Sequence, residues 1–282
     1  MIIDFHTHTF PDKIALRAIE GLSEKCHTKY YTDATSTALM DSMRAAGISY
    51  CVNLPVATRA DQVESINSRL ISRQEELMAG GIITFGAMHP EYADYKKEIR
   101  RLSEQGIKGI KLHPAFQGHC LNDIGYKRII EEASREGMVI LTHAGEDVGF
   151  LGKDFASPVH ILEILRETAP QKLVLAHMGG WQNWSMVKKL LAGAPVWLDT
   201  AYSLGNVSKI KGHEKDLPYE VNLDKGAFTE MVKAHGADRI LFATDSPWAN
   251  QRTYLEWIKG CELSRDVLEK ILGINAQKLL NI

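Results

Sequence analysis

The sequence predicts a single (β/α)₈ barrel, a TIM barrel, spanning residues 1–282 as one domain. Three observations predict it. Six times, an amphipathic stretch runs into a glycine and then into a short apolar run. Two more apolar runs bring the count of predicted strands to eight, and eight β-α alternations close a parallel sheet on itself. No glycine-rich phosphate turn follows an early strand, as an open doubly wound sheet would need.

The elements follow in order. The predicted strands cover residues 2–8, 48–54, 82–88, 107–113, 138–143, 173–177, 195–200 and 240–244. They are short and apolar throughout, as in parallel strands covered on both faces. Helical stretches separate them, among them 59–78, 91–105, 123–136 and 157–168, the last with Ser157 as N-cap and Pro158 at the first helical position. Gly47, Gly80, Gly106, Gly137, Gly193 and Gly236 stand where a helix should end in a left-handed residue. Two connections, 9–35 and 201–224, exceed the usual ~2–6 residues and should lie over the face where barrel active sites form.

Composition narrows the partners. A net charge of −2 and 24% charged residues imply no basic face, which argues against nucleic acid. No run approaches the ~18–20 apolar residues of a membrane span, and the start MIIDFHTHTF lacks the basic, apolar layout of a signal peptide. Cys26, Cys51, Cys120 and Cys261 form no Cys-x-x-Cys pair and read as reduced thiols, with Cys51 in the core. A cytoplasmic enzyme with a small-molecule substrate is expected, and exposed Trp and Tyr near the mouth would permit a homodimer.

Polar residues at strand ends carry the chemistry. His6 and His8 lie two apart, so strand alternation points both to one side. Alone this means little, since chance supplies roughly 0.4 His-x-His pairs in a chain with this many histidines. But His143 ends the fifth strand, His177 the sixth and Asp245 the eighth. Metal-capable groups at four separate strand ends are poorly explained by packing, and catalytic groups of such barrels cluster there. In GIKLHP, Lys111 and His113 share a parity and should face inward. The bland alternative for Lys111 is a pairing with Asp4. His89 could line the mouth. Arg59 and Arg252, near mouth loops, could hold a substrate carboxylate, with exposed structural arginine as the plainer reading.

These segments bear a resemblance. IDFHTH, GIKLHP, ILTHAG, LAHMGG, FATDSPW and GINAQKLL, in this order, resemble the amidohydrolase superfamily, in particular its amidohydrolase-related group of hydrolases and decarboxylases. The resemblance covers nearly the whole chain. It implies that His6, His8, His143 and Asp245 ligate one divalent metal and that His177 stands beside it as an acid, base or carbonyl-polarising group. Zn is the expected ion, with Mn, Fe, Co and Ni also suited to such ligands. A binuclear centre is the alternative, since binuclear relatives bridge two ions with a carboxylated lysine, for which Lys111 is placed. His113, Lys111 and Trp248 are candidate substrate contacts.

The metal is the larger chemical lever. It can bring the pKa of water from ~15.7 to ~7, worth about 12 kcal/mol in proton affinity. A positioned base contributes about 3–5 kcal/mol. The expected reaction is hydrolysis of a small amide, lactone or ester, with Asp245 taking the proton of the attacking water and His177 stabilising the oxyanion. The alternative is non-oxidative decarboxylation of a small aromatic or unsaturated acid. A barrel that binds without turnover is the third reading.

Overall fold

The computed structural model describes the whole chain except residues 214, 215, 217, 220 and 221. Among the described residues the strands are β1 Ile3–Thr7, β2 Tyr50–Asn53, β3 Ile82–Thr84, β4 Gly86–Ala87, β5 Gly109–Leu112, β6 Val139–Thr142, β7 Leu173–Leu175, β8 Trp197–Asp199 and β9 Ile240–Leu241. All pair in parallel and in chain order, β1-β2-β3 and β4 through β9. β3 and β4 are one predicted strand interrupted at Phe85, whose amide donates to Asn53 O at 3.0 Å. Between β1 and the segment after β9, Phe5 N donates to Phe242 O at 2.8 Å and Asp245 N to His6 O at 2.9 Å. The eight predicted strand positions are therefore all occupied, each shorter than expected.

Side chains divide by parity into two layers. Ile110, Leu112, Ile140, Leu173, Leu175 and Ile240 pack outward on helix residues such as Met43, Ile99, Ile129 and Ile161. Ile3, Phe5, Val52, Phe85, Val139, Leu141, Val174 and Leu241 fill the interior, joined by Ala276, Leu279 and Leu280 of the helix Asn275–Leu280. The interior is thus a packed core, and only the ends of the strands are free for chemistry.

β1 departs from simple alternation. Asp4 pairs with Cys51 and Thr7 with Asn53, so three steps in β1 match two in β2. The extra residue is a bulge, which re-aims side chains on either side of it. Asp4 turns outward, accepting from Thr244 N at 2.9 Å and Gln251 Nε2 at 2.7 Å. His6, two residues on, turns inward. The alternative pairing of Lys111 with Asp4 does not form, since Lys111 faces inward and Asp4 outward.

Several expectations need correction. The stretch 59–78 is not one helix: a 3₁₀ turn Ala60–Gln62 leads into Val63–Ser72, and Arg73 separates that from Gln74–Ala79. The connection 9–35 contains the helix Ala15–Cys26. Ser157 occupies the N-cap of Pro158–Thr168, but its hydroxyl caps nothing and lies buried without a partner. The connection 201–224 is described except for the five residues named above. Within it, Leu204 and Leu223 form a parallel bridge.

Five of the six predicted glycines have positive φ; Gly80 does not, and Gly81 takes the role at φ 82°. The two kinds of site carry different costs. At Gly47, φ is 70° and a Cβ would meet nothing within 4 Å, whereas at Gly81 it would lie 2.8 Å from Ser49 O. Gly47→Ala should destabilise by about 1 kcal/mol through φ alone, and Gly81→Ala by roughly 2–4 kcal/mol, through φ plus overpacking. Urea unfolding of both variants tests this; equal midpoints would contradict it.

Candidate metal centre

His6 at the end of β1, His8 just beyond it and Asp245 beyond β9 bring three donors together at the barrel mouth, all within 4.8 Å of one another. His6 Nε2 lies 3.1 Å from His8 Nε2. Asp245 Oδ1 is 3.1 Å from His8 Nε2 and 3.5 Å from His6 Nε2. Bonds of about 2.0–2.1 Å to one ion would put ligand atoms about 3–3.4 Å apart, so the spacing suits such an ion.

The far side of each ring strengthens the case. His8 Nδ1 donates to the Leu54 carbonyl at 2.7 Å. A carbonyl only accepts, so Nδ1 holds the hydrogen and Nε2 presents a lone pair. His6 Nδ1 donates to Asp199 Oδ2 at 2.8 Å, and its Nε2 likewise presents a lone pair. Two lone pairs and a carboxylate oxygen therefore face one another in a buried space. That arrangement repels unless a cation sits among them, and the donor set fits a divalent metal.

Lys111 supplies part of the compensation. It faces inward between outward Ile110 and Leu112, and its Nζ lies 3.2 Å from His6 Nε2. Burial pulls its pKa down to about 8 against the opposing pull of Asp199, Asp245 and Asp147. Burial, and next Lys111, hold His6 well below the usual imidazole range.

His143 and His177 form a second facing pair. Interior parity with Val139 and Leu141 aims His143 inward. His177 shares the outward parity of Leu175, yet it too faces the site, because the backbone bends through positive φ at His177 (59°) and Met178 (53°). Such values are uncommon outside glycine and cluster at functional sites. His177 Nδ1 donates to Ala201 O at 2.9 Å and His143 Nε2 to Glu146 O at 3.1 Å. The 3.0 Å contact between His177 Nε2 and His143 Nδ1 thus also brings two lone pairs together. Burial lowers both pKa values, with His177 adding to the effect on His143. His143, expected as a fourth ligand, stands beside His177, outside the closest triple of donors.

His113 stacks on His143, ring centroids 4.5 Å apart and planes 12° apart. Its backbone amide is held by Gln117 Oε1 at 3.0 Å, while Gln117 Nε2 donates to Ala57 O and Met88 O. Asp147 Oδ2 approaches both His113 Nε2 and His143 Nε2 at 3.7 Å. Burial pushes the Asp147 carboxyl up to about 6.

Above these groups opens a cavity of about 490 Å³, lined by His113, Trp248 and further aromatic side chains including Phe10, Phe116, Trp181 and Tyr202. Lys111 and His89 are not among its lining residues. Arg59 pairs with Asp61 at 3.0 Å and Arg252 with Glu256 at 3.3 Å; both are exposed, and neither is among the lining residues of the cavity.

Sequence reasoning missed Asp199, Asp147 and Gln117. Asp199 left the clearest signal, an aspartate ending the strand run VWLD. It is buried, and its Oδ1 accepts from His177 N and Ala201 N while Oδ2 holds His6. Burial pushes its carboxyl up to about 6.

Comparison with known proteins matches this architecture. A sequence model of the family described as amidohydrolase covers residues 3–282. No curated protein matches the chain by sequence. Among solved structures, a 2,6-dihydroxybenzoate decarboxylase in complex with 2,6-dihydroxybenzoate is similar, with TM-score 0.70 and 15% identity, covering 100% of this chain and 99% of that one. A dihydroxybenzoic acid decarboxylase from Polaromonas sp. JS666, with bound manganese and 2-nitroresorcinol, has TM-score 0.70 and 16% identity, covering 99% and 96%. An uncharacterized TIM-barrel protein from Bordetella bronchiseptica has TM-score 0.73 and 19% identity, covering 99% and 98%. At these identities the likeness establishes the fold.

The role of Asp199 can be checked directly. In Asp199→Asn the single carbonyl oxygen can stay with the two backbone amides, leaving the NH₂ against His6 Nδ1. His6 must then carry its hydrogen on Nε2, where it opposes a metal. Metal affinity, measured by competition with a chromophoric chelator, should fall by about 10–100-fold with the fold retained. Unchanged affinity would remove Asp199 from the centre.

Proposed function

The chain belongs to the amidohydrolase family, and from that membership we propose that it is a metal-dependent decarboxylase of a small aromatic or unsaturated carboxylic acid. The observation that carries this reading is the joining of a metal-type donor cluster to an aromatic-walled cavity of about 490 Å³. A flat acid can lie between rings such as Phe116, Trp181 and Trp248 and direct its carboxylate at the cluster. The decarboxylases among the similar structures support this reaction over the hydrolysis favoured by sequence alone.

His6, His8 and Asp245 would hold one divalent ion, with His143 the further ligand. The ion, Zn or Mn among the candidates, supplies Lewis-acid polarisation of a bound oxygen. The chain's own residues do the rest. The aromatic walls exclude water and orient the ring. The bond to the carboxylate carbon breaks, CO₂ leaves, and the carbon left behind takes one proton. That proton comes from solvent, and His177, between the donor cluster and His143, and Asp245 are the titratable groups placed to take it up and relay it to the carbon. His113, stacked on His143, would contact the substrate with Trp248. Hydrolysis of an amide, lactone or ester is the second reading, favoured by an ionised Asp245 able to accept a proton from water.

Three measurements test these statements. Turnover of a panel of hydroxybenzoic and unsaturated acids in D₂O should release CO₂ and leave one deuterium on the carbon that lost it. Entry of ¹⁸O from labelled water into the organic product of an ester or lactone, with no CO₂ from any acid, would establish hydrolysis instead. Asp245→Asn should lower turnover by at least ~10²-fold while the protein stays folded, and wild-type rates would free Asp245 of its role. Exhaustive metal removal should abolish turnover, and re-addition should restore it at one ion per chain; a requirement for two would favour the binuclear alternative with Lys111.

A further inference from the structure

The cavity carries charge of one sign on each of two walls. Glu146 and Asp147 contribute the acidic wall. Thr58, Gln62, Ser65, Ile66 and Arg69 contribute another. The last four fall at spacings of three, four and seven, so the 3₁₀ turn Ala60–Gln62 and the helix Val63–Ser72 present them along one face.

Arg69 is the only lysine or arginine among the lining residues. Of the three arginines on this segment, Arg59 is neutralised by Asp61 and Arg73 by Glu76 at 2.7 Å. Arg69 is exposed and makes no ion pair among the described residues, and Arg73 adds a like charge to its surroundings. An arginine at a cavity rim with no acid partner is a fork of donors awaiting an acceptor.

Gln62 adds to it. Its Oε1 accepts from Thr58 N, Thr58 Oγ1 and Arg59 N at 2.9, 3.1 and 3.2 Å. Three donors identify that atom as the oxygen and leave the amide NH₂ without a partner among the described residues, on the same helical face as Arg69.

We propose that Arg69 and the Gln62 amide form an anion subsite, and that the substrate carries a second acidic group remote from the one directed at the metal centre. Apolar side chains such as Leu54, Val56 and Ile66 line the space that the body of such a molecule would fill. The substrate class is therefore a small diacid with a flat or apolar frame. This rests on the reading that the donor cluster takes a carboxylate.

Calorimetric titration of the metal-loaded enzyme with benzoate, isophthalate and terephthalate tests it. Wild type should bind one of the diacids at least ~10-fold more tightly than benzoate, and Arg69→Gln should bring that diacid to within ~2-fold of benzoate. Arg69→Lys should keep part of the preference, since it keeps the charge and loses the fork. Equal affinities in wild type, absence of binding by all three acids, or an unchanged diacid preference in Arg69→Gln would each overturn the subsite. Binding is read without turnover, so a diacid preference that depends on Arg69 would stand even if no acid released CO₂, and only the decarboxylase reading would then fall.

Discussion

Mutual repulsion among buried acceptors governs this site. His6 Nε2, His8 Nε2 and Asp245 Oδ1 sit within 3.1–3.5 Å of one another, and the two histidines cannot relieve the conflict by changing tautomer. Asp199 and the Leu54 carbonyl hold the hydrogens on the opposite nitrogens. An unsatisfied buried polar group costs about 1–3 kcal/mol, so a fold that gathers three of them needs compensation. The Lys111 ammonium provides some, and a divalent cation would provide the rest. The second facing pair, His143 and His177, extends the same logic to the neighbouring strands.

Two backbone irregularities make this convergence possible. Strict alternation would place His6 on the outward face with Asp4, and His177 on the outward face with Leu175. The extra residue in β1 reverses the first, and the left-handed bend at His177 and Met178 reverses the second. Each disrupts regular strand geometry, and each is held by surrounding bonds: Thr7 Oγ1 to Val52 O at 2.9 Å, and His177 N to Asp199 Oδ1 at 2.9 Å. Asp199 thus serves both histidines, fixing the ring of one and the backbone of the other.

The donor cluster and the cavity divide the chemistry between them. The cluster is polar and buried, suited to gripping one charged or polarisable oxygen. The walls above it are aromatic and aliphatic, suited to a flat frame from which water is displaced. Arg69 at the rim adds a positive charge with no ion-pair partner among the described residues. A molecule matching all three features is small, flat and acidic at two points, which narrows the amidohydrolase family's chemistry for this chain.

Much of this was legible in the sequence because it depends on short-range pattern. Strand positions followed from apolar runs after glycines, and His6, His8, His143, His177 and Asp245 were conspicuous as polar residues ending such runs. Single residues decided geometry in two places: Gly81 rather than the expected Gly80 carries the positive φ, and one extra residue in β1 turns His6, not Asp4, toward the inward-facing Lys111. Asp147 and Gln117 had no distinguishing local context, and Asp199 offered only its place at the end of the run VWLD. Asp199 acquires its meaning from His6, 193 positions away, and Gln117 from carbonyls at Ala57 and Met88. Nor could the pairing of Arg59 and the freedom of Arg69 be told apart, since both are arginines near the same helix. The sequence by itself determined the barrel and the residues presented at its mouth, because hydrophobic period and strand ends are properties of neighbours along the chain. Tertiary structure alone decided which nitrogens keep their lone pairs and which charges stay uncompensated, because those depend on acceptors brought near only by folding.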